Sequence, residues 1–215
     1  MSKLVLFQGD SITDCHRSRD NDVYKGHGYA TMVAGELSMR APYAYRFCNR
    51  GVSGDRIVDV YARIRMDAIN LKPDFMSILI GVNDVWHEYT RQNGVDAEKF
   101  EMVYGLLIEE VQRECPGIKI MILEPFVLPG SATENTDEHP LRWDYFEKEV
   151  SLRAQAAKRV AEKYDLIFVP LQERFNTANI GAPSNNYWLS DGVHPTSAGH
   201  TLIKQAWVDG FEKLK

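Results

Sequence analysis

Runs of apolar residues that have the length of a β-strand alternate along this chain with segments of helical period. The runs are almost unbroken, as is typical of strands covered on both faces of a sheet: Leu4–Phe7, Phe75–Ile80, Ile118–Leu123 and Leu166–Val169. At Tyr43–Phe47 apolar residues alternate with others, and Arg46 suits a strand at the sheet edge. Five strands are therefore predicted.

Apolar residues at helical spacing fill the intervals between these strands. Four segments show this spacing: Ile57–Ile64, Phe100–Val111, Val150–Ala161 and Ile203–Phe211. The last of them follows an N-cap candidate at Thr196 or Ser197. Strands that alternate with helices pair in parallel through right-handed crossovers and carry helices on both faces. The chain is predicted to be an α/β protein with three α/β/α layers, and its 215 residues fit a single domain over 1–215.

The charge balance excludes several classes of partner. The formal net charge is −5 and no basic run is present, which argues against nucleic acid and against a membrane surface. No apolar run reaches the roughly 18 residues of a membrane span, and Met1–Phe7 is too short for a signal peptide. Cys15, Cys48 and Cys115 lack the spacing of a paired motif, which favours free thiols in the cytoplasm. A signal peptide removed from a longer chain would leave the same sequence.

Two segments, 12–28 and 125–140, lack regular spacing and follow the carboxyl ends of predicted strands. Loops of this length inside a compact domain tend to be functional. Open α/β sheets bind their ligands at the carboxyl ends of the strands. The functional site is therefore expected at this edge of the sheet.

Three residues of the types found in a hydrolytic triad stand near opposite ends of the chain. Ser11 follows the first strand in Gly9-Asp10-Ser11 and is the candidate nucleophile, with a turn or N-cap serine as the alternative. His194 is the candidate base, because Asp191 stands three residues earlier and can reach Nδ1, which leaves Nε2 for the serine hydroxyl. A surface-loop histidine and a helix-capping aspartate are the alternatives. No Gly-x-Ser-x-Gly sequence surrounds any serine, which disfavours the larger α/β-hydrolase class.

Acyl transfer also needs hydrogen-bond donors for the developing oxyanion, and two further motifs offer them. The segment 49–55 follows the second strand, and Gly54 would let its backbone N–H approach a substrate. The segment 81–84 follows the third strand, and the Asn83 amide can donate into the same space. Each motif alone is a common turn sequence, but their joint position after parallel strands favours one shared site.

Aromatic and acidic residues flank these motifs. Trp86, Tyr187 and Trp188 are candidates for stacking on a sugar ring, with core packing as the alternative. Asp10 is placed with them as a substrate-binding candidate, and it is also expected to bond backbone groups around the turn that aims Ser11.

The residues that follow the candidate nucleophile have two interpretations. Asp14, His16 and Arg17 either line an acyl pocket or, as we favour, stabilise the loop. A metal site built from His16, His27 and nearby aspartates matches no standard ligand spacing and is not predicted. His200 is expected in the last helix, facing solvent.

Four motifs, in order along nearly the whole chain, resemble the four blocks of the SGNH hydrolase superfamily, also called GDSL esterases. They are Ser11 in Gly-Asp-Ser, Gly54, Asn83 in Gly-x-Asn-Asp and His194 in Asp-x-x-His-Pro. Longer stretches at 9–15, 81–86, 124–126 and 193–200 resemble the small acetylxylan esterases of bacteria. The resemblance implies a flavodoxin-like five-stranded sheet, a triad of Ser11, His194 and Asp191, and an oxyanion hole of Ser11, Gly54 and Asn83. It also implies deacetylation of xylan-derived sugars, no metal or other cofactor, and a homo-oligomer.

Two other functions compete with a carbohydrate acetylesterase. A lipid esterase, lysophospholipase or thioesterase of the same superfamily would need an apolar groove for a long acyl chain. Glu134, Asp137 and Glu138 make the 125–140 loop too polar to predict one. A catalytically silent sugar-binding protein on the same fold is disfavoured by the complete set of triad residues. The chain is therefore predicted to be a serine esterase that acts on small acetylated carbohydrates.

Overall fold

The computed structural model describes residues 2–184 and 186–214. Its strands are β1 (Lys3–Gly9), β2 (Tyr45–Asn49), β3 (Phe75–Leu79), β4 (Lys119–Leu123) and β5 (Ile167–Val169). Its helices are α1 (Ser11–Asp14), α2 (Tyr29–Arg40), α3 (Ile57–Asp67), α4 (Val82–Arg91), α5 (Ala97–Glu114), α6 (Arg142–Lys163), α7 (Gln172–Asn179) and α8 (Ser197–Glu212), with a 3₁₀ turn at Ile69–Leu71.

The five strands form one parallel sheet in the order β2-β1-β3-β4-β5. The predicted α/β class and the five-stranded flavodoxin-like sheet are confirmed. This strand order reverses direction at the boundary between β1 and β3, and open sheets of this kind bind ligands at such a switch point. The carboxyl ends of β1, β2 and β3 therefore lie together at the place where the candidate residues follow their strands.

Helices cover both faces of the sheet because the strand side chains alternate between two apolar cores. Val5 and Phe7 of β1 enter one core, where α2 and α8 pack and Trp207 is fully buried. Leu4 and Leu6 enter the other, beneath α3 and α5. Both faces of β1 are thus withdrawn from water, which explains its unbroken apolar run.

The second strand lies two residues further along the chain than its apolar pattern predicted. Tyr43 has a φ of 63°, a left-handed turn conformation that an extended strand excludes. Pairing with β1 begins at Tyr45, opposite Lys3. The error arises because Tyr43 contributes to the alternating pattern although its side chain is exposed.

His200 does lie in the last helix, but the prediction that it faces solvent is wrong. The residue is 3% exposed, because the first turn of α8 packs against the loop before α2. Its Nδ1 accepts a hydrogen bond from the Tyr29 backbone N–H at 3.2 Å, and its Nε2 lies 3.2 Å from Cys15 Sγ. Burial lowers the pKa of His200 to about 4, so the ring is neutral at pH 7.

Both segments predicted as irregular are largely so. Segment 125–140 contains no helix or strand, whereas segment 12–28 begins within the short helix α1 and is then irregular up to α2. Among residues 2–184 and 186–214, no helix combines the length and apolar character needed to cross a lipid bilayer.

Candidate active site

A sharp turn between β1 and α1 places the candidate nucleophile at the switch point of the sheet. Gly9 has a φ of +156°, and a Cβ added there would lie 2.3 Å from the Leu79 carbonyl oxygen, so glycine is needed where β1 passes β3. Asp10 caps α1, because its Oδ1 accepts a hydrogen bond from the Ile12 backbone N–H at 3.0 Å. Ser11 begins the helix, with its side chain at the edge of the sheet.

A chain of hydrogen bonds joins Ser11 to residues 180 positions and more away in the sequence. Ser11 Oγ lies 2.9 Å from His194 Nε2, and His194 Nδ1 lies 2.7 Å from Asp191 Oδ2. The other carboxylate oxygen of Asp191 accepts hydrogen bonds from the backbone N–H groups of Val193 and His194, at 2.9 and 2.8 Å. The carboxylate is thereby fixed on both oxygens, and it orients the imidazole toward Ser11.

The electrostatics of this pair favour an ionised Asp191 and a basic His194. Burial raises the pKa of Asp191, but the hydrogen bonds from the His194 ring and from two backbone N–H groups outweigh burial and lower it overall. The hydrogen bond to Asp191 raises the pKa of His194 above its ordinary value, against the opposing effect of burial. A base strengthened in this way suits the removal of a serine proton.

Asp10 lies beneath the candidate nucleophile and away from solvent. The residue is 1% exposed, and burial raises its pKa to about 7 although the Ile12 N–H bonds to it. Its side chain is thus placed to shape the turn that carries Ser11. The structure does not bring it to the surface of either cavity beside Ser11, where a substrate would lie.

The two candidate oxyanion donors line one cavity with Ser11. This cavity measures about 290 Å³, and Ser11, Gly54, Asn83 and His194 are among the residues that line it. Gly54 has a φ of +87°, a conformation that favours glycine. One amide hydrogen of the buried Asn83 side chain bonds to the Asp55 carbonyl at 3.1 Å, which leaves the second for another acceptor. Within the described part of the chain, the backbone N–H groups of Ser11 and Gly54 have no hydrogen-bond acceptor.

Of the three aromatic candidates, the structure places Trp86 beside Ser11 and the other two outside the cavities there. Trp86 lines the cavity that contains Ser11, and its ring centroid lies 5.8 Å from that of His194. Tyr187 is 43% exposed and lines neither of the two cavities that contain Ser11. Trp188 also lies outside both, and its Nε1–H donates to the Ala178 carbonyl at 2.8 Å.

A second cavity, of about 410 Å³, is also lined by Ser11, and it includes His16, for which a pocket-lining role is the alternative to loop stabilisation. Its lining includes His16, His27 and His200, which lie on two separate parts of the chain. The rings of His16 and His27 stack with centroids 5.3 Å apart. In residues 2–184 and 186–214, no group of three or more histidine, cysteine, aspartate or glutamate side chains is placed to hold a metal ion.

Asp14 connects the helix of the candidate nucleophile to the loop that carries Gly54. Its carboxylate accepts hydrogen bonds from the Ser53 backbone N–H and hydroxyl, at 3.0 and 2.9 Å, and from the Arg19 guanidinium. Burial raises the pKa of Asp14, but these donors outweigh burial and lower the pKa overall. The loop-stabilising interpretation favoured for Asp14 agrees with these contacts. They hold Ser53, and with it Gly54, at a fixed place relative to Ser11.

We expect Asp14→Ala to lower kcat for a small acetyl ester by about tenfold, because a displaced oxyanion donor stabilises the transition state less. KM should change little, since Asp14 itself lines neither cavity that contains Ser11. Asp14→Asn keeps an acceptor for Ser53 and should recover part of the loss. Equal kcat for wild type and Asp14→Ala, in proteins of similar thermal stability, would contradict a positioning role.

The sheet order and the hydrogen-bond chain of Ser11, His194 and Asp191 have the form of a hydrolase of the flavodoxin-like α/β class. The sequence profile of the GDSL-like lipase/acylhydrolase family matches residues 7–202. The chain therefore belongs to this family, and it is a carboxylic ester hydrolase.

Individual relatives extend over essentially the whole chain. An acetylxylan esterase from Geobacillus stearothermophilus is 33% identical over 98% of this chain and 95% of its own length. The crystal structure of Axe2, an acetylxylan esterase from that organism, superposes with a TM-score of 0.81 at 30% identity, covering 97% of this chain and 93% of its own. A candidate GDSL-like lipase from Parabacteroides merdae superposes with a TM-score of 0.90 at 33% identity, covering 100% and 98% of the two chains.

Proposed function

We propose that this protein is a serine esterase that removes O-acetyl groups from carbohydrates, with acetylated xylo-oligosaccharides as the substrate class. The observation that carries the proposal is the hydrogen-bond chain of Ser11, His194 and Asp191, which opens on a cavity of about 290 Å³. An acetyl group fits a space of this size, and Trp86 at its edge offers an aromatic surface to a sugar ring. The similarity to acetylxylan esterases supports the same substrate class.

The proposed reaction proceeds through an acetyl-enzyme. His194 accepts the Ser11 proton as Oγ attacks the acetyl carbonyl carbon, and the Ser11 and Gly54 N–H groups with the Asn83 amide stabilise the oxyanion. The tetrahedral intermediate collapses, the bond to the sugar oxygen breaks, and His194 returns its proton to that oxygen. His194 then activates a water that hydrolyses the acetyl-enzyme, which releases acetate and restores Ser11. Asp191 stabilises the imidazolium formed in both steps.

The choice between a short and a long acyl group can be tested with p-nitrophenyl esters. We expect kcat/KM to be at least about tenfold higher for the acetate than for the octanoate, because the acetyl group fits the cavity of about 290 Å³, whereas a longer chain meets the polar side chains of His87, Thr90 and Arg91 there. Acetate release from acetylated xylo-oligosaccharides, with xylo-oligosaccharides as the control, tests the carbohydrate part. A clear preference for octanoate would instead support a lipid esterase or thioesterase. The homo-oligomeric state and the cytoplasmic location are further parts of the proposal, to be checked by light scattering and cell fractionation.

A further inference from the structure

The cavity that contains Ser11 and Asn83 continues into a neighbouring one along α4. The neighbour measures about 450 Å³ and lies between α4 and the start of α6. Both cavities are lined by Trp86 and Thr90, so they form one depression that leads away from Ser11. We call this depression the α4 groove. Its lining includes Trp86, Tyr89, Arg91, His139 and Arg142.

The α4 groove is cationic in a protein with a net negative charge. No aspartate or glutamate lines it in the described part of the chain, although the chain has 30 acidic residues and a net charge of −5. Two cavities elsewhere are lined by acidic residues, which include Glu124 and Glu147 in one and Glu98 and Glu101 in the other, whereas the second cavity beside Ser11 is lined by none. Both cavities lined by Ser11 thus lack a lining carboxylate among the described residues, and arginines line the one that belongs to the α4 groove.

Two arginines of the α4 groove have no acidic partner. Neither Arg91 nor Arg142 forms an ion pair within residues 2–184 and 186–214, whereas arginines such as Arg153 and Arg159 do. Nε of Arg142 is buried and has no hydrogen-bond partner there. No hydrogen bond or ion pair engages the rest of this half-buried guanidinium within the described residues, so its terminal N–H groups are the donors that a carboxylate in the groove would pair with.

Aromatic rings connect these arginines to the reaction site. Trp86 lies between His194 and Phe146, with ring centroids 5.8 and 6.1 Å away. Tyr89 follows one turn later on α4, and its ring centroid lies 5.8 Å from that of His139. Amphipathic aromatic surfaces suit sugar rings, which combine apolar C–H faces with polar edges. An oligosaccharide that begins at Ser11 and follows these rings would thus be led toward Arg142, which lines the same groove.

We propose that the α4 groove binds a uronic acid carried by the acetylated oligosaccharide, with its carboxylate paired to Arg142; this inference rests on the proposed function. The planar guanidinium matches a carboxylate with two parallel hydrogen bonds, which a neutral sugar cannot offer. Arg91, exposed at the end of α4, adds to the positive potential beside Ser11. The esterase accordingly prefers acidic acetylated oligosaccharides over neutral ones of the same length.

Acetylated xylo-oligosaccharides of equal length, with and without a glucuronic acid branch, test this preference. We expect kcat/KM to be about tenfold higher for the acidic substrate, and the ratio to shrink as salt is raised to about 0.5 M. Arg142→Gln should bring the ratio close to one. Arg113→Gln, which removes an exposed arginine at the far end of α5, should leave it unchanged. Equal kcat/KM for the two substrates, or an unchanged ratio in Arg142→Gln, overturns the inference.

A binding measurement separates this inference from the proposed function. Titration of Ser11→Ala with the deacetylated acidic oligosaccharide should show about tenfold tighter binding than with the neutral one, and Arg142→Gln in that background should lose the difference. Acetate release from the neutral substrate without any acidic preference overturns the inference alone. If neither oligosaccharide releases acetate while p-nitrophenyl acetate is cleaved, the proposed carbohydrate function fails, and the inference with it.

Discussion

Ser11→Ala is expected to lower kcat for p-nitrophenyl acetate by about 10⁴- to 10⁶-fold, the largest effect that any single substitution should produce. Alanine removes the hydroxyl oxygen that lies 2.9 Å from His194 Nε2 and that would form the proposed acetyl-enzyme. Any residual rate should come from binding and from the proposed oxyanion donors, which would then assist attack by water instead of serine.

Loss of folding cannot explain such a result, because Ser11 Oγ makes a single hydrogen bond within residues 2–184 and 186–214, and its side chain is half-buried. The thermal midpoint of Ser11→Ala should therefore lie within a few degrees of wild type. Ser38→Ala, an exposed serine on α2, is the matched control and should keep full activity. Wild type should also form one covalent adduct with a fluorophosphonate probe, at Ser11.

Two outcomes would contradict the assignment of Ser11. Substantial acetate release by Ser11→Ala would show that another group performs the attack. A wild-type protein that neither reacts with the fluorophosphonate nor hydrolyses the ester, yet binds xylo-oligosaccharides, would be the silent sugar-binding protein considered from the sequence. The probe separates these outcomes because it reacts only with an activated serine.

The helices that sequence analysis found all bury an apolar stripe; of those it missed, α7 does not, whereas α2 and α4 do. Of α7 only Phe175 is buried, and α4 buries just two aliphatic side chains, Val82 and Val85, in its apolar contacts. α7 therefore lacks the repeated spacing on which a prediction depends, whereas Val82, Val85, Trp86 and Tyr89 of α4 follow it and pack in or against the core. The buried positions of α2 do follow helical spacing, from Tyr29 to Leu37, so that helix could have been found.

The candidate site was predictable where the proposed chemistry restricts which residue type can stand at a position. It was not predictable where packing decides the direction or the partner of a side chain. Glycine, serine, asparagine and histidine are each required for a reason that a short motif displays. The direction of an aromatic side chain has no such signal: Trp86 faces the cavity, while the indole of Trp188 bonds to a carbonyl of α7. The partner of Asp14 is likewise set by the approach of the loop at Ser53, 39 residues away.

Asp191→Asn should lower kcat by about 10⁴-fold although it changes one atom. Asp191 Oδ1 already accepts two backbone N–H groups, so the amide oxygen of asparagine would take that place. Its NH₂ group would then face His194 Nδ1, now 2.7 Å from Oδ2. A donor at this position makes Nδ1 an acceptor and puts the ring proton on Nε2, where it faces Ser11. The histidine can then no longer accept the serine proton.

The pH dependence gives this prediction a second readout. The active form of His194 is neutral, so kcat/KM of wild type should fall as pH drops through a pKa that Asp191 raises above the ordinary value. Asparagine removes the charge that raises the His194 pKa. The acid limb of the kcat/KM profile should therefore move to lower pH, while the plateau value of kcat/KM falls. Asp209→Asn, an exposed carboxylate on α8, is the control and should move neither. An unshifted acid limb with a kcat near wild type would contradict the role of Asp191, because both effects follow from the one hydrogen bond to Nδ1.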